Sequence, residues 1–268
     1  MKKLLFLFPI MLFAFSCSQK KPDWINNTPP NPIEQNRLDK YQLRTKRWHI
    51  SEIIGSDVEN NQEFVLFKID TADWYYSTYG TSIKFNTNNT YEDSYHAKCG
   101  NDCFPSSKGN YILKDENHIL IKVKEFHQSG DCETKSISYD LDYVTYYIFQ
   151  TSDGNLRLIK SNGKSYEDKQ NQYYSMFFDK YYNELRDTQL DFKTTSKTNE
   201  ERIKDFLNEK VHVKNYRILY TRKENDLFLI NLVKNMDAKN DYYFIINGFR
   251  NNYDYQVGAY YLKNLNIQ

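Results

Sequence analysis

Short apolar runs, rich in β-branched and aromatic residues, recur along residues 41–163 and are separated by turn-forming residues. Runs of this kind, spaced about ten residues apart, are typical of antiparallel strands in a barrel or sandwich. The Asp153-Gly154 pair between the last two runs is a strong hairpin signal. The pattern predicts strands over residues 63–69, 82–85, 91–96, 109–113, 118–123, 143–149 and 156–159.

The period of the pattern changes from two to about 3.6 over residues 165–185, where aromatic residues recur at helical spacing. Ser165 and Asp168 stand where a capping pair would begin such a helix. The apolar stripe indicates a helix packed on the sheet, with a partner-binding face as the alternative.

A polar, Thr-rich and Ser-rich segment over residues 187–197 is typical of a domain boundary. Thr198 and Glu201 form a capping box for a helix that continues to Leu207. Strand-like runs then follow at residues 211–220, 227–233, 242–247 and 255–262. We therefore predict a mostly β protein of the α+β class: an antiparallel meander with a packed helix over residues 41–187, and a helix plus four-strand antiparallel unit over residues 188–268.

The chain starts with a basic pair, Lys2 and Lys3, followed by twelve apolar residues and then Ser16 and Cys17. This order is that of a secretory signal peptide, and the apolar run is shorter than the about 20 residues that span a membrane. The Ser16-Cys17 junction resembles the lipobox of bacterial lipoproteins. The resemblance implies that residues 1–16 are removed and that Cys17 carries a palmitate-type lipid anchor in the cell envelope, with the outer membrane favoured over the inner.

Residues 17–40 contain a proline cluster, Pro29, Pro30 and Pro32, within a polar segment. Such a segment cannot bury a core and behaves as an extended spacer. We therefore predict a disordered tether that holds a folded body away from the membrane.

Three further cysteines and two histidines form a cluster that could carry chemistry: His96, Cys99 and Cys103 in one segment, and His127 and Cys132 in another. If the strands alternate in direction, both segments lie at the same end of the sheet. Export favours a disulfide between Cys132 and either Cys99 or Cys103, which closes a loop of about 30 residues and contributes about 3 kcal/mol. A local Cys99–Cys103 bridge and a zinc site that uses the histidines are the alternatives.

Two weaker resemblances concern the folded part and its modification. Trp48 or Trp74 near the first strand, a meander and a closing helix are faintly similar to the order of elements in lipocalin-like domains. The Asp70-Thr71-Ala72 triplet resembles the O-glycosylation motif of Bacteroidota, which makes Thr71 a glycosylation candidate.

Composition and motifs limit the functions that the chain can have. Lys plus Arg number 36 and Asp plus Glu number 35, so the sequence lacks the excess of basic residues that is typical of nucleic-acid-binding proteins. The sequence contains no nucleophile elbow, phosphate loop or metalloprotease helix, and we predict neither catalytic residues nor a cofactor. We therefore expect a non-enzymatic, membrane-anchored envelope lipoprotein that binds a small ligand, a glycan or a protein. An immunity or inhibitor lipoprotein that neutralises a toxin or hydrolase, and an envelope hydrolase, are the alternatives.

Overall fold

The computed structural model describes residues 31–56, 62–68, 79–98, 101–187, 193–194, 198–225, 228–237, 242–250 and 255–263. Within them the protein is mostly β-structure arranged in two antiparallel sheets. The predicted mostly β fold, with packed helices and antiparallel strands, is confirmed.

The first sheet has nine strands, and eight of them close into a barrel. Its strands run β5-β4-β3-β1-β2-β9-β8-β6, and β6 pairs back with β5 to complete the ring, while β7 extends the far end of β6. The bounds are β1 Arg47–Ile50, β2 Glu63–Lys68, β3 Gly80–Phe85, β4 Thr90–His96, β5 Cys103–Asp115, β6 His118–Gly130, β7 Lys135–Ser138, β8 Val144–Gln150 and β9 Leu156–Lys160.

The strand order departs from a simple meander in one place. β1 lies between β2 and β3, with Trp48 opposite both Lys68 and Ile83, so the chain passes from β2 across β1 to reach β3. β2 then pairs with β9, which closes the barrel between strands far apart in sequence. The sequence predicted a barrel or a sandwich, and the structure is a barrel.

Alternation along the strands separates the barrel interior from its outer face. In β2, Phe64 and Leu66 are buried in the interior, whereas Glu63, Val65 and Phe67 point outward. Inward side chains of the other strands complete one continuous apolar core. Its largest fully buried members include Trp48, Tyr91, Tyr111, Tyr146, Phe64, Phe85, Leu66 and Ile83.

A short helix, α1 (Pro32–Leu38), begins the folded part and corrects the predicted tether. The Asn31 side chain caps it by accepting a hydrogen bond from the backbone N–H of Ile33. Gln35 then makes two hydrogen bonds to the backbone of Leu113 in β5, at 2.8 and 2.9 Å. Because these bonds tie the helix to the barrel, the predicted boundary at residue 40 is too late, and residues 32–38 belong to the folded body.

The long helix α2 (Ser165–Asp187) confirms the predicted change of period. Tyr174, Phe177 and Phe178 are buried on one side of it, whereas Tyr166 and Tyr173 are exposed. Asp168, predicted as a capping residue, is buried and accepts a hydrogen bond from His118 of β6. The helix therefore packs on its neighbours around its middle and is held to the barrel by a polar contact at its start.

The second sheet has five strands in the order β10-β14-β13-β12-β11. Four of them are the predicted meander, and the two-residue β10 adds a short edge. The predicted capping box of helix α3 (Asn199–Phe206) is present between Thr198 and Glu201. The bounds are β10 Lys193–Thr194, β11 Tyr216–Asn225, β12 Phe228–Asn235, β13 Tyr242–Arg250 and β14 Tyr255–Lys263. The division at residues 187 and 188 into two domains stays a prediction.

Candidate functional site

Several predicted site residues lie outside the residues that the structure describes. These are the lipidation candidate Cys17, the glycosylation candidate Thr71 and the disulfide candidate Cys99. Their predicted roles stay predictions.

Cys103 and Cys132 form a disulfide, with their Cα atoms 5.3 Å apart. Cys103 begins β5 and lies opposite Gly130 at the end of β6, so the bridge joins the open end of this long hairpin. The leading prediction, a bond from Cys132 to the first cysteine segment, is confirmed with Cys103 as the partner. Because both sulfurs are oxidised, neither is a thiolate ligand, which contradicts a zinc site built on them.

The two histidines of the predicted cluster lie on the outer face of the barrel near this disulfide. His127 stands in register with Ser106, which in turn is opposite Ser94, and Ser94 and His96 are hydrogen-bonded at 2.8 Å. They line a polar cleft of about 600 Å³. Among the described residues, no group of three or more His, Cys, Asp or Glu side chains is placed to hold a metal ion.

A buried cluster of charges lies where the barrel, α2 and β11 meet, and the sequence analysis did not find it. We call it the Glu63 clamp, and its members are Glu63, Arg157, Ser175, Asp179, Tyr220 and Arg222. Glu63 and Arg157 are outward-facing residues of β2 and β9, two strands that pair with each other. Ser175 and Asp179 lie one turn apart on α2, and Tyr220 and Arg222 lie two residues apart on β11.

Glu63 is the most deeply buried charge of the clamp, since its side chain is 1% exposed. Its Oε1 accepts hydrogen bonds from the Arg157 guanidinium and, at 2.8 Å, from the Ser175 hydroxyl. Its Oε2 accepts from the Tyr220 hydroxyl, also at 2.8 Å. A buried carboxylate with three hydrogen-bond donors is well satisfied, so Glu63 joins the barrel, α2 and the second sheet at one point.

Asp179 forms the other half of the clamp and lies nearer the solvent. Both of its carboxylate oxygens accept hydrogen bonds from Arg157 Nη2, at 2.6 and 2.7 Å. Its Oδ1 also accepts a hydrogen bond from Arg222 Nη1, at 2.9 Å. Arg222 also donates to the backbone oxygen of Ser175 and lies over the Phe178 ring. The clamp thus contains two arginines and two carboxylates, and its formal charge is balanced.

Electrostatics within the clamp keep Tyr220 protonated. Burial, together with the adjacent Glu63 carboxylate, raises the pKa of Tyr220 well above its usual value. The hydroxyl is therefore a permanent hydrogen-bond donor to Glu63 at physiological pH.

A cleft of about 590 Å³ adjoins the clamp, and we call it the Phe67 cleft. Its lining includes the four charged members of the clamp, which are Glu63, Arg157, Asp179 and Arg222. Phe67 of β2 also lines it, with 41% of its surface exposed. This volume is within the range of about 300–1,000 Å³ that is usual for ligand pockets.

The β8–β9 turn supplies the rest of the rim with polar side chains. Asp153 accepts hydrogen bonds from Thr151 and from the side chain of Asn155, and the Thr151 bond contributes most to lowering the pKa of the Asp153 carboxyl. Gly154 has a φ of +84°, which a side chain at this position would strain. These internal bonds fix the turn, so the rim keeps its shape without a ligand.

Two further polar sites hold the fold together, and their residues do not line the Phe67 cleft. His118 has one ring nitrogen 2.8 Å from Asp115 and the other 3.0 Å from Asp168 at the start of α2. Asp93 is buried in the barrel, where it accepts hydrogen bonds from the backbone N–H groups of Ile54 and Ser107 and from the Ser107 hydroxyl. Burial raises the pKa of Asp93 to about 6. Both sites join distant segments and are structural.

Comparisons with known proteins assign neither a family to the chain nor a function to the cleft. No family model matches the sequence, and no curated protein matches it significantly. Two solved structures show a remote likeness. DynU16, a putative protein in the dynemicin biosynthetic locus, is 10% identical, and the match covers 63% of this chain and 71% of DynU16. The di-domain ARO/CYC StfQ from the steffimycin biosynthetic pathway is 9% identical, and the match covers 87% of this chain and 80% of StfQ. Both have a TM-score of 0.15, which is too low to support any argument.

Proposed function

We propose that this protein is a lipid-anchored lipoprotein of the bacterial cell envelope that binds a ligand without transforming it. The lipobox-like junction at Cys17 and the polar segment after it support anchoring and display away from a membrane. Where the structure describes the chain, none of its helices is both long and apolar enough to cross a bilayer. The proposed attachment is the lipid on Cys17, and the lipobox-like junction is what supports it.

The Phe67 cleft is the observation that carries the binding function. It combines an exposed aromatic ring with fixed polar groups, which is the composition that ligand sites use for affinity and orientation. The charged groups in it are paired with one another, as the Arg157–Asp179 ion pair shows. Paired charges favour holding a ligand over acting as a general acid or base, which needs a group free to exchange a proton.

Anchoring is tested by growing cells with an alkyne fatty acid and detecting the label on the protein. The wild-type protein should carry the label, and Cys17→Ser should abolish it. A label that persists in Cys17→Ser would refute anchoring at this residue.

Binding is tested by affinity capture from envelope extracts with the full-length protein in detergent. Ser152 is exposed on the turn that forms the rim of the cleft, so Ser152→Trp should obstruct the cleft without disturbing the fold. Ser138→Trp, at an exposed position of β7, is the matched control. Capture that is lost in Ser152→Trp and kept in Ser138→Trp supports the cleft as the binding site, whereas no capture, or equal capture by both variants, refutes it.

A further inference from the structure

The charges around the Phe67 cleft cancel, and this limits the class of ligand. Arg157 and Arg222 face Glu63 and Asp179, and the Asp153 carboxylate on the rim has the Lys68 amine close to its turn, over Gly154. Three positive and three negative groups leave no net field to attract an ion. An anionic ligand would also have to displace Asp179 from two arginines, at the cost of bonds that are already well formed.

The walls of the cleft offer both hydrogen-bond donors and acceptors beside one apolar surface. Arg157 and Arg222 donate, Asp153 and Asp179 accept, and the Asn155 amide can do both. Phe67 presents an exposed ring in the same cleft. A hydroxyl group both donates and accepts, so a ligand with several hydroxyls can use all of these groups at once.

We infer that the Phe67 cleft binds a neutral carbohydrate, with an apolar sugar face on Phe67 and hydroxyls directed to the arginines and carboxylates. This inference rests on the proposed binding function and names the class of its ligand. A sugar ring has C–H groups on one face and hydroxyls around its edge, which matches a cleft lined by an aromatic ring and by polar groups. The bonded turn and the clamp hold these groups in place beforehand, which lowers the entropic cost of binding.

Isothermal titration of the full-length protein with defined oligosaccharides tests the inference. The protein is kept in a zwitterionic detergent, because a detergent with a sugar headgroup would compete. Maltohexaose, cellohexaose, laminarihexaose and xylohexaose are the neutral probes, and hexagalacturonate is the acidic one. At least one neutral probe should bind, and hexagalacturonate should bind at least tenfold more weakly than that probe.

Variants at Phe67 connect binding to the cleft. Phe67→Ala should weaken binding of the neutral probe at least tenfold, and Phe67→Trp should retain it, because the ring is the proposed contact. Tyr166→Ala is the matched control, since Tyr166 is an exposed aromatic residue of α2 that does not line the cleft, with 73% of its surface accessible. It should leave binding unchanged.

The outcomes separate the ligand class from the binding function. Binding of hexagalacturonate alone, binding of no probe, or equal binding by wild type and Phe67→Ala would each overturn the carbohydrate inference. If capture from envelope extracts still depends on Ser152, the cleft is a binding site for another class of ligand. If that capture fails as well, the binding function itself is refuted.

Discussion

Removing one hydroxyl group from the Glu63 clamp tests whether the second sheet is bonded to the barrel. Tyr220 of β11 donates its hydroxyl hydrogen to Glu63 of β2, at 2.8 Å, although the two residues are 157 positions apart in sequence. Tyr220→Phe deletes this donor and retains the ring that packs between Tyr174 and Phe178. The substitution therefore leaves a buried carboxylate oxygen without a partner and creates no large cavity.

The size of the effect follows from the charge of the acceptor. A hydrogen bond to a charged group contributes about 1.5–3 kcal/mol, so we expect Tyr220→Phe to lower the free energy of unfolding by about 2 kcal/mol. For a chain of this length each kcal/mol shifts the melting temperature by about 2–4 °C, which predicts a decrease of about 4–8 °C. With a urea slope of about 2 kcal/mol per M, the unfolding midpoint should decrease by about 1 M.

Circular dichroism during heating and urea titration measures both quantities. Tyr173→Phe is the matched control, because Tyr173 lies on the exposed side of α2 and its loss of a hydroxyl should change the melting temperature by less than about 1 °C. Equal melting temperatures for Tyr220→Phe and Tyr173→Phe would refute the bond between the second sheet and Glu63. A double-mutant cycle with Glu63→Gln should show a coupling free energy of at least about 1 kcal/mol.

Three further predictions concern the other polar sites of the fold. The pKa of Asp93 is raised from 3.8 to about 6 in the folded state. The contribution of this shift to the free energy of unfolding is therefore complete below the pKa of the unfolded state, and it is lost as the pH rises through the pKa of the folded state. Urea titrations should therefore show wild type losing about 2 kcal/mol relative to Asp93→Asn between about pH 4 and pH 7. His118→Ala should lower the free energy of unfolding by about 3 kcal/mol, measured in urea, because it leaves the buried Asp168 carboxylate without its partner. Replacing Cys103 and Cys132 together by serine should lower it by about 3 kcal/mol, and peptide mass spectrometry without reduction should detect the linked pair in the wild type.

Each of these predictions has a control and a contradicting result. A pH-independent difference between wild type and Asp93→Asn would show that burial does not raise the pKa of this carboxyl. His127→Ala, at an exposed histidine of the same strand, should leave the free energy of unfolding nearly unchanged. If His118→Ala changed it no more than His127→Ala does, the buried contact between His118 and Asp168 would be contradicted. Finding both Cys103 and Cys132 as free thiols in the unreduced protein would contradict the disulfide.

Sequence patterns predicted most strands because each is a short apolar, β-rich run bounded by turn residues. The run around Phe64 and Leu66 is an example, since its apolar residues already define the inward face. The short strands β1 and β7 were not predicted, because four residues are too few for alternation to be distinguished from a loop. Nor could the pairing of β2 with β9 be predicted, since alternation determines which face is buried but not which strand lies beside it.

The Glu63 clamp could not be predicted for a related reason. Its members come from four elements and have no fixed spacing, so no motif identifies them. A signal was present in Glu63 and Arg157, two charged residues within otherwise apolar strands that alternate toward the outer face. A charge in such a strand indicates that its outer face is covered by another element and that a partner of opposite charge lies there. The disulfide was predictable because it depended only on which ends of the strands lie together.

Charge pairing, more than apolar packing, determines the shape of the Phe67 cleft. Arg157 of the barrel bonds Asp179 of α2, and Ser175 of α2 bonds Glu63 of the barrel. The barrel and the helix therefore cannot separate at the cleft without breaking both contacts. Breaking a hydrogen bond to a charged group costs about 1.5–3 kcal/mol, a sizeable share of the about 5–15 kcal/mol by which a typical domain is stable. Separation of barrel and helix would therefore be rare in the folded protein, and the cleft stays open in the unbound state. A site that is already open requires no closure of a lid, so a ligand that fits it would be selected by shape and by the hydrogen bonds of a fixed wall.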